Sequence, residues 1–191
     1  TMPTTMPTTM TTTMPTDMPS TMTPTMPSTM PSTMTTTTAT TMPICFFLHG
    51  PAGTGKTYVY NTIANYYRSQ EKIVLCVASS GIAAILLTGG RTSHSRFKIP
   101  LSIDEASSCY IIRGTPLADL ILQTALIIWD EVPMQHRHCF EAVDRALRDI
   151  RQEDSLFGGI PVILGGDFAQ IPPVIRNGDR PEIVNASIRQ S

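Results

Sequence analysis

Three observations predict an α/β fold with a mainly parallel sheet flanked by helices. Short apolar runs at residues 44–48, 73–77, 126–129 and 161–164 alternate with stretches of helical spacing. A glycine-rich loop, His49-Gly-Pro-Ala-Gly-Thr-Gly-Lys-Thr57, separates the first run from the first helical stretch. Two later runs lead into acidic residues, Asp130-Glu131 and Asp167. Polar groups of that kind belong at the carboxyl edge of a parallel sheet, where open α/β folds bind ligands. The crossovers between such strands are expected to be right-handed.

The first segment, residues 1–43, stands apart. It holds ten of the 11 Met and eight of the 16 Pro, with Thr, Ser, one Ala and a single charge, Asp17. Thr and Pro disfavour helix, and the tract has no apolar periodicity with which to pack, so it is expected to be a disordered low-complexity repeat. Thr/Pro richness also suits an O-glycosylated stalk, against which stand the Met content and the absence of a signal peptide.

All 14 Lys and Arg and all but one of the 15 Asp and Glu lie after this tract, leaving the remainder formally neutral. Neutrality excludes nucleic-acid binding through bulk positive charge, though not a local basic groove. The four cysteines, Cys45, Cys76, Cys109 and Cys139, have no CxxC spacing and mostly sit in apolar runs, which reads as buried thiols in a reducing compartment. No apolar run approaches the ~18 residues of a membrane-spanning helix. The chain opens at Thr1 and shows no targeting signal, as expected of a fragment or a conceptual translation.

From residue 44 the elements can be justified in order. The run ICFFL is the first strand, and Gly50, Pro51, Ala52, Gly53, Thr54, Gly55, Lys56 and Thr57 match GxxxxGK[ST]. The glycines let the backbone turn its N–H groups onto phosphate oxygens, at a helix N-terminus that favours anions. Lys56 is expected to reach the β and γ phosphates, and Thr57 to place its hydroxyl on Mg²⁺. The first helix is predicted to run to about Ser69.

The second strand, 73–77, is followed by Ser79, Ser80 and Gly81, and the third, 126–129, closes on Asp130 and Glu131. Asp130 suits the metal side of a nucleotide site, and Glu131 suits a base that orients and deprotonates a water. A helix over about 135–153 places Phe140, Val143, Leu147 and Ile150 on one face. His136 and His138 then lie two apart on a helix, which argues against a shared zinc ion. After the fourth strand, 161–164, Asp167 and Gln170 follow at the same sheet edge, where Gln170 could sense the γ-phosphate.

Four blocks in order, GPAGTGKT, ASSGIAA with GGRTSHSRFKIP, IIWDEVPM and GGDFAQIPPV, resemble the petite-integration-frequency (Pif) family of ATP-dependent DNA helicases. These are RecD-like superfamily-one motors, and the wording is most similar to the Helitron-encoded branch. The resemblance covers residues 44–191 and implies the first RecA-like P-loop NTPase domain of a 5′ to 3′ helicase. It implies ATP and Mg²⁺ as cofactors, with Lys56, Glu131 and Gln170 catalytic, and single-stranded DNA and DNA junctions as partners.

On the same resemblance, Ser79, Ser80 and Gly81 fall in motif Ia, and Thr92, His94 and Ser95 fall where such helicases hold the strand backbone. Without it, residues 92–95 read as an ordinary polar turn. A second RecA-like domain, absent from this chain, is implied for closing the ATP cleft and for stepping. Roles in DNA repair, recombination, telomere maintenance or transposon replication are implied, with a nuclear address foremost and a mitochondrial one second. Two rivals stay open, another kind of P-loop ATPase and a non-enzymatic transposon remnant. The sequence departs from the family's pattern at Ala169, where Arg is common in the Helitron-like branch, and upstream, where the Thr/Met/Pro tract stands in place of a Q-motif helix.

Overall fold

The computed structural model describes residues 45–175 and 179–191. The Thr/Met/Pro tract, and with it the expectation of disorder, lies outside the described residues, as does Ile44 at the head of the first strand.

Among the described residues five strands form one sheet. They are β1 (Cys45–His49), β2 (Ile73–Ala78), β3 (Arg91–Thr92), β4 (Thr124–Asp130) and β5 (Val162–Gly166). Their spatial order is β1-β5-β4-β2-β3, and every pairing is parallel. Pairing in register sets His49 opposite Gly166, Trp129 opposite Leu164 and Ala78 opposite Asp130. The carboxyl ends of β1, β2, β4 and β5 therefore lie side by side along one edge, although their sequences are far apart.

Among the described residues six α-helices accompany the sheet: α1 (Lys56–Ser69), α2 (Gly81–Leu86), α3 (Ser93–Phe97), α4 (Pro116–Leu122), α5 (Arg137–Arg151) and α6 (Arg180–Asn185). Alternation along each strand sends successive side chains to opposite faces. One face, with Leu75, Val77, Ile127, Trp129, Val162 and Leu164, packs against α3, α4 and α5. The other, with Val74, Cys76, Ala78, Leu126 and Ile128, packs against Tyr60 and Ala64 of α1 and Ala83 and Ala84 of α2. Burial on both faces explains why these strands read as continuous apolar runs rather than as an alternating pattern.

The long helix α5 buries Phe140, Val143, Leu147 and Ile150 on one stripe, as their spacing predicts. Each such side chain contributes about 1.5–3 kcal/mol on leaving water. Trp129, 1% exposed, lies between Phe97 and Phe140, with ring centroids 5.5 and 4.5 Å away. The loop between α3 and α4 is tied back onto α5 by Arg113, which pairs with the Asp149 carboxylate at 2.6 Å, and by Arg145, which donates to the Ser107 carbonyl.

Several boundaries differ from those expected. The strands predicted at 126–129 and 161–164 extend to Asp130 and Gly166, so the first residue of the acidic pair is itself the last of a strand. The helix expected from Gln135 begins at Arg137 instead, because His136 is its N-cap, with Nδ1 accepting from the His138 N–H at 3.1 Å. His136 and His138 are thus not two residues of one helix face, and their ring centroids are 4.5 Å apart. Residues 92–95 are not a plain turn. Thr92 ends β3 and caps α3, its hydroxyl accepting from the Ser95 N–H at 3.3 Å.

One close approach decides how α1 lies on the sheet. A Cβ added at Gly165 would stand 1.6 Å from the hydroxyl oxygen of Tyr60, which is fully buried beneath β5. Gly165→Ala must push Tyr60 aside, and we expect it to destabilise the fold by about 2–3 kcal/mol in urea unfolding. In a double-mutant cycle, adding Tyr60→Leu should recover at least about 1 kcal/mol, since the clash disappears with the ring. Simple addition of the two effects would show that the contact is not limiting.

Candidate functional site

The glycine loop joins the end of β1 to the start of α1. Gly53 and Gly55 have φ of 78° and 88°, a left-handed region that L side chains resist, and the loop can take this path only with glycine there. Gly55 caps α1 without any side-chain bond. The first N–H groups of the helix stay turned into the loop, the arrangement that binds phosphate. Lys56 reaches back across it, its Nζ donating to the carbonyl oxygens of Gly50 at 2.5 Å and Pro51 at 3.0 Å. Thr54 donates to the same Pro51 carbonyl at 2.8 Å and stiffens the turn.

The sheet brings the two carboxylates to this loop. A cavity of about 350 Å³ is lined by Ala52, Gly53, Gly55, Lys56 and Thr57 together with Asp130 and Glu131. Ala83 and Leu86 of α2 complete its wall, and the glycine-loop motif does not point to them. Asp130 is 5% exposed, and its Oδ1 accepts from the Glu131 N–H at 2.9 Å. Glu131 adopts a left-handed conformation, φ 54°, so the chain turns sharply just after the strand. Burial, reinforced by the neighbouring charges of Asp130 and Asp167 and opposed by Lys56, pushes the Glu131 carboxyl above the usual carboxylate range. A carboxylate of raised basicity beside a cationic loop is what a general base for water requires. The Thr57 hydroxyl and the two carboxylates supply oxygen donors of the kind Mg²⁺ takes.

Asp167 and Gln170 sit on the loop after β5. The Asp167 carboxyl lies below its ordinary range, chiefly because the Ala169 N–H donates to it at 2.9 Å, with Gln170, His49 and Lys56 adding to the effect. Gln170 Nε2 is 3.4 Å from the Asp167 carboxylate, so its side chain is held on its own loop rather than on the cavity wall. Phe168 between them stacks on Phe47 at 5.1 Å and carries the Arg189 guanidinium at 4.1 Å, which ties the loop to the end of the described chain. Tyr60 is a further residue the motif does not predict. Its buried hydroxyl lies near Asp130, and burial with that charge raises its pKa.

The residues expected to meet DNA lie further along the same edge, after β2 and around β3. Ser80 caps α2 by accepting from the Ala83 N–H at 3.2 Å, and Gly81 opens that helix exposed. Ser95 is exposed, and His94 is half-buried, its pKa lowered by burial. Ser79 is turned inward. Its backbone N–H donates to the Asp130 carbonyl at 3.1 Å, and its hydroxyl donates to Gln135 Oε1 at 2.9 Å. Gln135 was not singled out from sequence, though a buried indole N–H in a strand signals that some acceptor must stand near it.

The raised Glu131 carboxyl has a consequence for stability. Its folded pKa lies above the unfolded value, so the ionised form is penalised in the fold at neutral pH, and the penalty vanishes below the unfolded pKa. Glu131→Gln should raise the melting temperature at pH 7 by about 1–3 °C, with the difference closing as the pH falls towards 4. Thermal melts of both proteins across that range check it.

The family model described as PIF1-like helicase matches residues 30–191. The ATP-dependent DNA helicase Pif1 of Psychrobacter sp. (strain PRwf-1) is 39% identical over 135 residues, covering 70% of this chain and 20% of that protein. The Homo sapiens ATP-dependent DNA helicase PIF1 is 31% identical over 136 residues, covering 71% of this chain and 21% of that protein. Among solved structures, Bacteroides Pif1 bound to single-stranded DNA aligns with a TM-score of 0.63 at 33% identity, over 73% of this chain and 32% of that one. The Bacteroides helicase in complex with ADP-AlF3 and single-stranded DNA aligns with a TM-score of 0.61, over 74% and 32%. The chain thus spans about a fifth of the length of these sequence relatives and about a third of the solved chains. With the parallel sheet and the loop-and-carboxylate site already described, these matches establish that the chain belongs to the PIF1-like helicase family.

Proposed function

We propose that this chain is the first, nucleotide-binding motor domain of an ATP-dependent DNA helicase. The observation that carries the reading is the single cavity in which Lys56 and Thr57, at the start of α1, meet Asp130 and Glu131 at the end of β4. ATP would lie with its phosphates on the loop from Gly50 to Thr57, including Pro51, Ala52 and Thr54. Thr57 and Asp130 would hold Mg²⁺, which supplies charge neutralisation of the phosphate oxygens. Glu131 would hold and deprotonate a water. Gln170, one loop away beside Asp167, would read the γ-phosphate once its hydrogen bond to Asp167 is exchanged.

Single-stranded DNA would cross the edge formed by Ser80, Gly81, Thr92, His94 and Ser95, with Ser79, turned inward, holding that edge from behind. These small hydroxyls and N–H groups meet phosphates without reading bases, which accords with a chain that has no bulk positive charge. Two solved structures of Bacteroides Pif1 hold single-stranded DNA, which supports a single strand as the ligand. A further solved structure concerns unwinding at forked duplex DNA by two coordinating Pif1 helicases, which supports junctions as the working substrate.

Unwinding in the 5′ to 3′ direction, in repair, recombination, telomere maintenance or transposon replication, would need a second RecA-like domain that closes on the first. That this chain spans about a third of the solved relatives supports such a division. An arginine supplied across such a cleft is worth about 10³–10⁵ in turnover, so the chain by itself would bind Mg-ATP and hydrolyse it slowly. A nuclear setting, or a mitochondrial one, fits this work. Among the described residues no helix is long and apolar enough to cross a membrane.

The nucleotide reading predicts that Lys56→Ala weakens Mg-ATP binding by about 10- to 100-fold in calorimetry, the effect of losing a charge-assisted phosphate contact. The variant should melt within about 2 °C of the unaltered chain, because Lys56 bonds only to its own loop. Equal affinities would sink the reading.

A further inference from the structure

We propose that Gln135 is a positioning residue that couples the carboxylate turn of the nucleotide site to the edge assigned to DNA. This rests on the reading above, and it adds a residue to which the sequence motifs give no role. The side chain is 4% exposed, and one atom, Oε1, receives three donors. Ser79 Oγ donates from the end of β2 at 2.9 Å and Ser93 Oγ from the first turn of α3 at 2.9 Å. The third is the indole Nε1–H of Trp129 in β4, at 3.3 Å. An indole N–H can only donate, so the amide atom facing it must be the oxygen, and the orientation of Gln135 is settled by chemistry.

The three donors come from three different elements, each adjoining a functional group. Ser79 opens the segment leading to Ser80 and Gly81, Ser93 sits between Thr92 and His94, and Trp129 immediately precedes Asp130. Gln135 itself stands five positions after Asp130, at the end of a single 3₁₀ turn, Val132–Met134, that Glu131 caps. Its own N–H donates to the Val132 carbonyl at 3.1 Å, so little slack separates the carboxylates from the amide. A cavity of about 280 Å³ opens beside this junction and is lined by Ser79, His94 and Gln135 among others.

A rotation of the Glu131 turn on nucleotide binding therefore has a short path to both serines. Buried side-chain networks of this kind have few alternative arrangements, since each donor left without its acceptor costs free energy. The hydroxyls of Ser79 and Ser93 share one acceptor atom, so a displacement of Gln135 Oε1 acts on both.

Trp129 is the only tryptophan in the chain, so its emission reports this junction directly. The test titrates the full chain with Mg-ADP, following heat and tryptophan emission together, and then measures anisotropy of a labelled thymidine oligomer of about 15 nucleotides. We expect the emission to shift on Mg-ADP binding in the unaltered chain. In Gln135→Met, which keeps the volume and removes the acceptor, that shift should vanish, with Mg-ADP affinity held within about twofold. Oligomer affinity should fall about fivefold, the equivalent of one ordinary hydrogen bond. Gln135→Glu, which restores an acceptor, should recover the emission shift and part of the oligomer affinity.

An emission shift that persists in Gln135→Met, or Mg-ADP binding with no shift in the unaltered chain, overturns the proposal. So does a Gln135→Met protein that loses Mg-ADP affinity without rescue by Gln135→Glu, which marks a purely structural residue. No Mg-ADP binding by the unaltered chain sinks the nucleotide reading and this proposal with it. A Gln135-dependent shift in a chain that does not bind the oligomer supports the coupling and overturns only the DNA assignment of the edge.

Discussion

The insertion of β5 between β1 and β4 is the constraint on which the site depends. In-register parallel pairing places His49 opposite Gly166 and Trp129 opposite Leu164, so the glycine loop and the acidic pair emerge at the same height from strands two positions apart. A slip of one residue in either pairing would send every core side chain of β5 to the wrong face. Burial on both faces of the strand forbids that slip. The hydrophobic core thus sets the distance between Lys56 and Asp130, although neither residue is part of it.

Glycine at position 165 extends the same constraint into the third dimension. It leaves room for the hydroxyl end of Tyr60 against β5, drawing α1 close to the sheet. The closeness carries an electrostatic consequence. Carboxylates at the ends of adjacent strands sit in a partly desolvated edge, and their environments separate them. Glu131 is pushed up by burial and by its acidic neighbours, while Asp167 is held down by a backbone N–H. Two acids of similar chemistry are thereby given different tasks, one able to accept a proton and one staying ionised.

Around this centre the polar groups form a layered arrangement. Lys56, Asp130 and Glu131 line the cavity, and Gln135 collects the hydroxyls behind the carboxylate turn. On the far side, Phe168 stacks on Phe47 and under Arg189, linking the Asp167 loop to the C-terminal 3₁₀ turn of the described chain. The carboxylate turn and the segments after β2 and β3 are thus joined through one buried side chain, Gln135. Buried networks are more sharply bistable than exposed ones, because partial satisfaction is penalised on both sides.

Much of this was legible in the residues alone, for a physical reason. A phosphate loop must have glycine at its left-handed positions, a strand buried on both faces must be apolar throughout, and an amphipathic helix must repeat its apolar residues every three or four positions. Local requirements of that kind determined the α/β class, the loop from Gly50 to Thr57, the acidic pair and the buried stripe of α5. Residues whose role depends on where another element lies carried no such mark. Gln135 looks like the first residue of a helix until His136 caps that helix and Trp129, Ser79 and Ser93 converge on its oxygen. Tyr60 and Gly165 are unremarkable until β5 passes over α1. The sequence by itself determined the chemistry available at each strand end. Only the tertiary structure decided which ends meet, because strand order and register are settled by long-range packing that no local pattern encodes.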